Sequence, residues 1–450
     1  MYHNLYNNIY NKINSYKIVK EMLFLANMGF IIGSELMIYG IFKDYSSFIE
    51  RITSRLASIN ILYVKIFQAF ALNNSLIDDK TNNKLLKFTD NAPWSISDIN
   101  IEDLIDFCNA YSIVLPNGFE TPINAGMISL VFKGYEKESK LSVIIKMKRK
   151  NIDAKLNDAI ENLQTVLYLL SYIPLIHKYQ IAEVVKRNIE IIRHQTNFIQ
   201  EVENIHKVKT NCKRLQYIKI PTVFPDITKR FPEIILMEFI EGMKINEVAQ
   251  EDYEPFAKQV MKFGFVTTIV HGVTHGDLHS GNILFIKDDN DEKYPHKIGV
   301  IDFGIIYEID SAYKGLLFDV LTQMFSDSPE KSAIKLLNSG IIDPPGILQQ
   351  IPKEDYENIV QFTTEIIDET VHSSKKANQV QLYKFLYKLK EYFGQSKMAN
   401  IGIRPSDNLI KTQLVLAMSH GVTLTLCKDD FMIVADKVIN ELFHTNMMIE

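Results

Sequence analysis

The sequence predicts an α+β chain of two lobes, mainly helical, with a small antiparallel sheet in the first lobe and a helical extension ahead of it. Three observations lead there. Apolar residues recur at helical spacing from Tyr16 to about Leu86 and again from Ile152 to Lys213. Between Asn117 and Lys148 the segments MISLVFKGYE and KLSVIIKMK are β-branched and alternating, and the polar EKESK between them reads as the turn of a hairpin. Beyond Gly242 helical patterning runs to the C-terminus, apart from NILFI and KIGVIDFG. These changes of pattern divide the 450 residues into a helical extension over 1–115, a sheet-bearing lobe with a helical insertion over 116–241, and a helical lobe over 242–450.

Composition bounds the function. With 46% hydrophobic and 23% charged residues the chain has the apolar content of a folded protein. A formal charge of -5 and a pI near 6.2 supply no basic tract for nucleic acid, so nucleic-acid binding is not expected. Cys108, Cys212 and Cys427 are single and far apart, which gives neither a disulfide framework nor a CxxC site and suits a reducing intracellular compartment. In the extension, Met22 to Phe42 is long enough to cross a bilayer but is interrupted by Asn27, Ser34 and Glu35. Three readings stay open for it: a membrane helix at 22–42, a helix buried against the body of the protein, and an interfacial helix of a protein peripheral to a membrane. The first lobe's hairpin is followed by a helical insertion in which Pro174 marks a break. IPTVFPDIT and EIILMEFIEG then read as a further strand pair.

The chemistry concentrates in HGDLHSGNILF, from His275 to Phe285, and VIDFG, from Val300 to Gly304. Phosphoryl transfer asks a protein for a carboxylate near the attacking group, hard oxygen ligands for Mg²⁺ and a cation on the phosphates. Asp277 suits the first role, while Asn282 and Asp302 suit the second. His275 and His279, with no cysteine nearby, make a poor zinc pair; His275 reads as a structural residue of the loop. Upstream, VIIK ends at Lys146 on a strand, where it can reach α- and β-phosphates if an acid holds it, and Glu201 in FIQEVENI is the acid at hand. The order strand lysine, helix glutamate, loop Asp and Asn, then DFG is that of a protein-kinase-like fold, with Mg²⁺ and ATP as cofactors. LMEFIEG fits the connection between lobes, with Met237 behind the nucleotide and the backbone from Glu238 to Ile240 on adenine; an ordinary edge strand is the other reading.

On these motifs the chain resembles the UbiB-type (AarF-type) atypical kinases associated with ubiquinone biosynthesis, from about Ile61 to Phe443. Lys65-Ile-Phe-Gln68 resembles that family's N-terminal KxGQ motif, PINAGMISLV its alanine-rich nucleotide loop, and QTNFIQE its ExD-then-Glu helix. The resemblance implies that Ala125 and Gly126 line the nucleotide and that Lys65 and Gln68 are a regulatory remnant. It also implies a partner in isoprenoid or quinone lipid chemistry, either the lipid or an enzyme acting on it. The departures are Phe67 for the glycine of KxGQ, Gln195 and Asn197 for the two acids, and Gly126 and Met127 for an alanine and a serine of the loop. The first of them, in the N-terminal motif, puts the family's restraint on protein phosphorylation in question. The expected activity is that of an atypical kinase or ATPase acting on Mg²⁺-ATP. Small-molecule kinases of the aminoglycoside or choline kinase type share HGDLHSGN and IDFG and stay as an alternative, as does a nucleotide-binding scaffold without phosphotransfer. A conventional protein kinase fits less well, since Gly276 replaces the arginine of HRD.

Overall fold

The computed structural model describes residues 2–60, 62–63, 92–170, 189, 192–323, 327–372, 388–389, 391–427, 433–434, 437–438 and 441. Lys65 and Gln68 lie outside the described residues, as does Pro174. The chain separates into two compact units: residues 1–199 with 224–237, and residues 200–223 with 238–450.

The first unit opens with two helices, α1 (Tyr2–Phe42) and α2 (Tyr45–Ile59). Helix α2 starts where the Asp44 side chain accepts the Ser47 backbone N–H at 3.1 Å, the usual way an N-terminal orphan donor is satisfied. Its buried residues Ile49, Ile52, Thr53 and Leu56 recur at helical spacing and form one stripe. Glu35 of α1 is only 3% exposed, and it is held by Arg51 Nε at 2.8 Å and Arg55 Nη1 at 3.1 Å from α2. A lone buried carboxylate there would be costly; paired with two guanidinium groups it fixes the helix pair in register. Helix α3 spans Ile101–Ala110 and α4 spans Ile152–Leu170. The apolar faces of α1, α2 and α4 close one core through Phe24, Ile31, Ile52, Leu56, Leu156 and Ile160.

The sheet of this unit contains β1 (Ile113–Val114), β2 (Asn124–Ala125), β3 (Ser129–Glu136), β4 (Ser142–Lys148) and β6 (Ile234–Glu238), ordered β1-β3-β4-β6 with β2 pairing β3. The hairpin read from alternation is present, with Val131 opposite Lys146 and Ser129 opposite Lys148. Leu130, Phe132, Ile145 and Met147 bury one face against Leu104 and Phe107 of α3. The alternation therefore leaves Lys146 and Lys148 together on the opposite face.

One expectation is corrected here. IPTVFPDIT forms no strand alongside EIILMEFIEG: a backbone bond from the Glu238 N–H to the Thr222 carbonyl at 2.9 Å joins them, and the strand β5 lies just ahead, at Ile218–Lys219, where it pairs in parallel with β9 (His296–Val300). Pro225–Arg230 is instead a short helix with its proline in the first turn. Proline suits that position because the missing N–H would be unpaired there anyway, and Asp226 at the start with Lys229 and Arg230 at the end complement the helix dipole.

The second unit takes in helix α5 (Phe198–Asn211) from Gln200 onward, and its core is built around α6 (Tyr253–Phe265) and α7 (Asp407–Leu426), with Phe256, Phe263, Phe265, Phe285 and Phe303 fully buried. Helices α6 and α7 touch closely at Gly264, where a Cβ would stand 2.5 Å from Ser419 Oγ. Past Phe265 the helix widens into a π turn over Val266–His271 and stops at Gly272, whose φ of 69° is left-handed. The chain then enters β7 (Val273–His275), which pairs with β10 (Ile306–Glu308). The second predicted hairpin is also present, as β8 (Ile283–Lys287) and β9, with Ile283 opposite Val300.

Candidate functional site

Within the second unit, β7 and β10 bring the two motifs side by side. Ile306 faces His275, and the Gly276 N–H donates to the Ile305 carbonyl at 2.9 Å. His275 is fully enclosed and bridges the two. Its Nδ1 accepts the Asp277 N–H at 3.0 Å, so the ring proton sits on Nε2 and is donated to the Asp302 carbonyl oxygen. Burial keeps the imidazole pKa below its ordinary value, which favours the neutral ring that both bonds require. The reading of His275 as the residue that holds the loop is supported by these contacts.

The loop then folds back on itself. The Asp277 carbonyl accepts the His279 N–H at 3.0 Å and the Asn282 side-chain Nδ2–H at 2.9 Å, and the same Nδ2 lies 3.1 Å from His279 Nε2. With the amide nitrogen turned into the loop, the amide oxygen is the end of Asn282 left for a cation. The Asp302 carboxylate is oriented by the Gly304 N–H, which donates to Oδ1 at 3.0 Å. Asp277, Asn282 and Asp302 are thus brought into one hydrogen-bonded frame, all three partly exposed. One carboxylate and one amide oxygen are the hard donors Mg²⁺ takes, and their small number suits an ion that keeps water and phosphate oxygens around it. Among the described residues no group of three or more His, Cys, Asp or Glu side chains could hold a metal without such help.

Helix α5 contributes a residue that the motif reading missed. Asn204 is buried and its Nδ2–H donates to the Phe303 carbonyl at 2.9 Å, pinning the DFG backbone one turn beyond the buried Glu201. An Asn in FIQEVENI carries no signature of its own; its position three residues after the candidate glutamate was the available clue. Glu238 is held at the end of β6, its N–H donating to the Thr222 carbonyl at 2.9 Å and its Oε2 accepting from Thr222 Oγ1 at 2.9 Å. Ile240 beyond it is buried.

Within the first unit, Lys146 projects from β4 with its ammonium 5.6 Å from the centre of the Phe198 ring, and Lys148 lies equally close to that ring. A cation over an aromatic face is favourable by about 0.5–2 kcal/mol. Lys148 is further tied to Glu233 at 3.0 Å. Ala125 is buried in β2 against β3, while Gly126 opens the turn to Ser129 and returns its N–H to the Ser129 carbonyl at 2.9 Å. A Cβ on Gly126 would meet Ser129 O at 3.5 Å and Ser129 Oγ at 3.8 Å, both ordinary contacts, so the turn itself does not demand glycine. Met237 is buried near the end of β6.

Residues 117–335 match the ABC1 atypical kinase-like domain. Curated relatives include the probable protein kinase UbiB of Shewanella woodyi, 23% identical over 302 residues that make up 66% of this chain and 54% of that protein. The probable protein kinase UbiB of Shewanella sp. strain W3-18-1 is 24% identical over 307 residues, 67% of this chain and 55% of that protein. The chain spans about half the length of the curated relatives it matches. Among solved structures, the Rv3197–erythromycin complex from Mycobacterium tuberculosis is similar with a TM-score of 0.46 and 15% identity, over 92% of this chain and 97% of that one. The Rio2 kinase–ADP/Mg²⁺–phosphoaspartate complex from Chaetomium thermophilum gives a TM-score of 0.26 and 12% identity, over 64% of this chain and 74% of that one. The domain match, with the β3–β4 hairpin and the β7–β10 pairing, bears out both the protein-kinase-like fold and the UbiB-type resemblance.

Proposed function

We propose, from the premise that residues 117–335 form an ABC1 atypical kinase-like domain, that this chain binds Mg²⁺-ATP and transfers or hydrolyses its γ-phosphate. The observation that carries the reading is the frame around His275, which holds the backbones of Asp277 and Asp302 together through one neutral imidazole. Such a frame pre-positions oxygens before substrate arrives, which is where most of the catalysis of phosphoryl transfer lies. Asp277 would accept the proton of the attacking hydroxyl or water. Asn282 and Asp302 would hold Mg²⁺, which when bound neutralises charge on the β- and γ-phosphates. Lys146, with Glu201, would meet the α- and β-phosphates; Ala125 and Gly126 would cover them, and Met237, Glu238 and Ile240 would take adenine. The test is incubation with γ-labelled ATP, with and without Mg²⁺. Mg²⁺-dependent release of labelled phosphate, or label on an acceptor, is expected; absence both of label transfer or release and of Mg²⁺-dependent nucleotide binding would overturn the reading.

The acceptor side is proposed to lie at a membrane, in isoprenoid or quinone lipid chemistry. Among the described residues one helix is long and apolar enough to cross a bilayer, Val19–Phe42, with a mean hydropathy of 1.6. Phe30, Met37 and Phe42 on it are 67%, 71% and 72% exposed, while its one buried carboxylate is neutralised by Arg51 and Arg55. The chain is expected to float with liposomes in a density gradient, and Phe30→Asp with Met37→Asp to sink. Equal behaviour of the two proteins would detach this helix from any lipid role.

A further inference from the structure

We infer that Arg149 is a positioning residue for the nucleotide loop, clamping the turn 125–129 from behind so that its amides are set for phosphate; the inference rests on the nucleotide-binding reading above. Arg149 follows β4 directly and is only 5% exposed. Its Nε–H donates to the Gly126 carbonyl at 2.9 Å, and its own backbone N–H donates to the Ile128 carbonyl at 2.9 Å. A third loop carbonyl, that of Ala125, accepts the Ala92 N–H at 2.8 Å. The guanidinium also reaches the strand of chain that supplies this last donor: Nη1 donates to the Pro93 carbonyl at 2.8 Å and to Asp98 Oδ2 at 3.1 Å, and Nη2 to the Ala92 carbonyl at 3.4 Å.

The consequence follows from peptide planarity. In a trans peptide the C=O of one residue and the N–H of the next point in opposite directions. Holding the Gly126 carbonyl on the guanidinium therefore turns the Met127 N–H the other way. A loop that receives an anion must present N–H groups to it and keep its carbonyls back, and Arg149 imposes that arrangement on two carbonyls of one turn. The charge of Arg149 is not what serves here. Asp98 compensates it at 3.1 Å, and Lys155 joins the same carboxylate at 2.9 Å. What matters is the rigid fork, which an ammonium cannot reproduce.

The experiment compares wild type with Arg149→Lys, which keeps the charge and loses the fork. Hydrogen exchange is followed over residues 124–129 without ligand, and binding of Mg²⁺-ATP and of adenosine is followed by the emission of Trp94, the sole tryptophan, which adjoins Pro93. Exchange in the loop is expected to quicken, the Mg²⁺-ATP affinity to fall about tenfold, equivalent to one ordering hydrogen bond, and the adenosine affinity to stay within about twofold. Unchanged exchange and ATP affinity would overturn the clamp, and so would an equal loss for adenosine and ATP, which is what general loosening of the unit would give. Wild type that binds neither ligand would remove the nucleotide reading and this inference with it, a result distinct from binding that the substitution leaves untouched. Should Arg149→Lys fail to fold, Asp98→Asn keeps the side-chain volume while weakening the anchor, and a loss of about threefold confined to ATP is expected; no loss would overturn the clamp.

Discussion

Asp302→Asn is expected to abolish the Mg²⁺-dependent stabilisation of this protein by ATP or ADP while leaving the unliganded melting temperature close to that of wild type. The carboxylate is partly exposed, and the Gly304 N–H that orients Oδ1 at 3.0 Å can be accepted equally well by an amide oxygen of the same shape. The bond from His275 goes to the Asp302 backbone carbonyl and is not touched by the change. What is lost is the negative charge that a divalent cation requires. A ligand present at a hundred times its Kd stabilises the folded state by about 2.7 kcal/mol, which for a domain of this kind is roughly 5–10 °C. Thermal unfolding with ATP or ADP, with and without Mg²⁺, reads the difference directly. A Mg²⁺-dependent shift that survives Asp302→Asn would remove this residue from the metal site.

The sequence and the structure agree where a pattern has a physical period and part where a side chain acts through a distant backbone. The β3–β4 hairpin was legible because alternation decides which face of a strand meets the core, and Leu130, Phe132, Ile145 and Met147 do meet it. The candidate site was legible because Asp277, Asn282 and Asp302 stand at spacings that a turn and a hairpin bring together. Arg149 was not legible: within KMKRKN it is one cation among four, and only the fold reveals that its partners are the Asp98 carboxylate and carbonyls from Ala92, Pro93 and Gly126. Asn204 escaped for the same reason, its partner being a carbonyl in a distant motif. The helix at Pro225–Arg230 was hidden by its apolar and β-branched setting, which argues for a strand until the proline at its start is weighed as a helix signal. In α1 the apolar residues run all round the helix, so periodicity could not say which face would be covered; Arg51 and Arg55 decided it by taking Glu35.

Gly276→Ala is expected to destabilise the second unit by about 1–3 kcal/mol and to lower turnover more than that loss alone explains. A Cβ at this position would stand 2.5 Å from Ile305 Cγ2 and 3.2 Å from both the Ile305 carbonyl oxygen and Tyr307 Cε2. Relief by moving Gly276 is closed off, because its N–H is bound to that same carbonyl at 2.9 Å and its neighbour Asp277 is held by His275. The strain must pass into Ile305 or into the Asp277 loop. In the second case the carboxylate proposed as the base would be displaced, and about 1 Å of displacement costs on the order of a hundredfold in rate. This also accounts for the absence of the arginine of HRD: in this chain the position has no room for any side chain, let alone a long one. The check is a double-mutant cycle with Ile305→Ala, which removes the clashing methyl. If the contact is the cause, the Gly276→Ala penalty in urea unfolding shrinks in the Ile305→Ala background by about 0.5–3 kcal/mol, and part of the turnover returns. Additive penalties would mean that the backbone around Gly276 yields freely, and the loop would then owe its geometry to His275 alone.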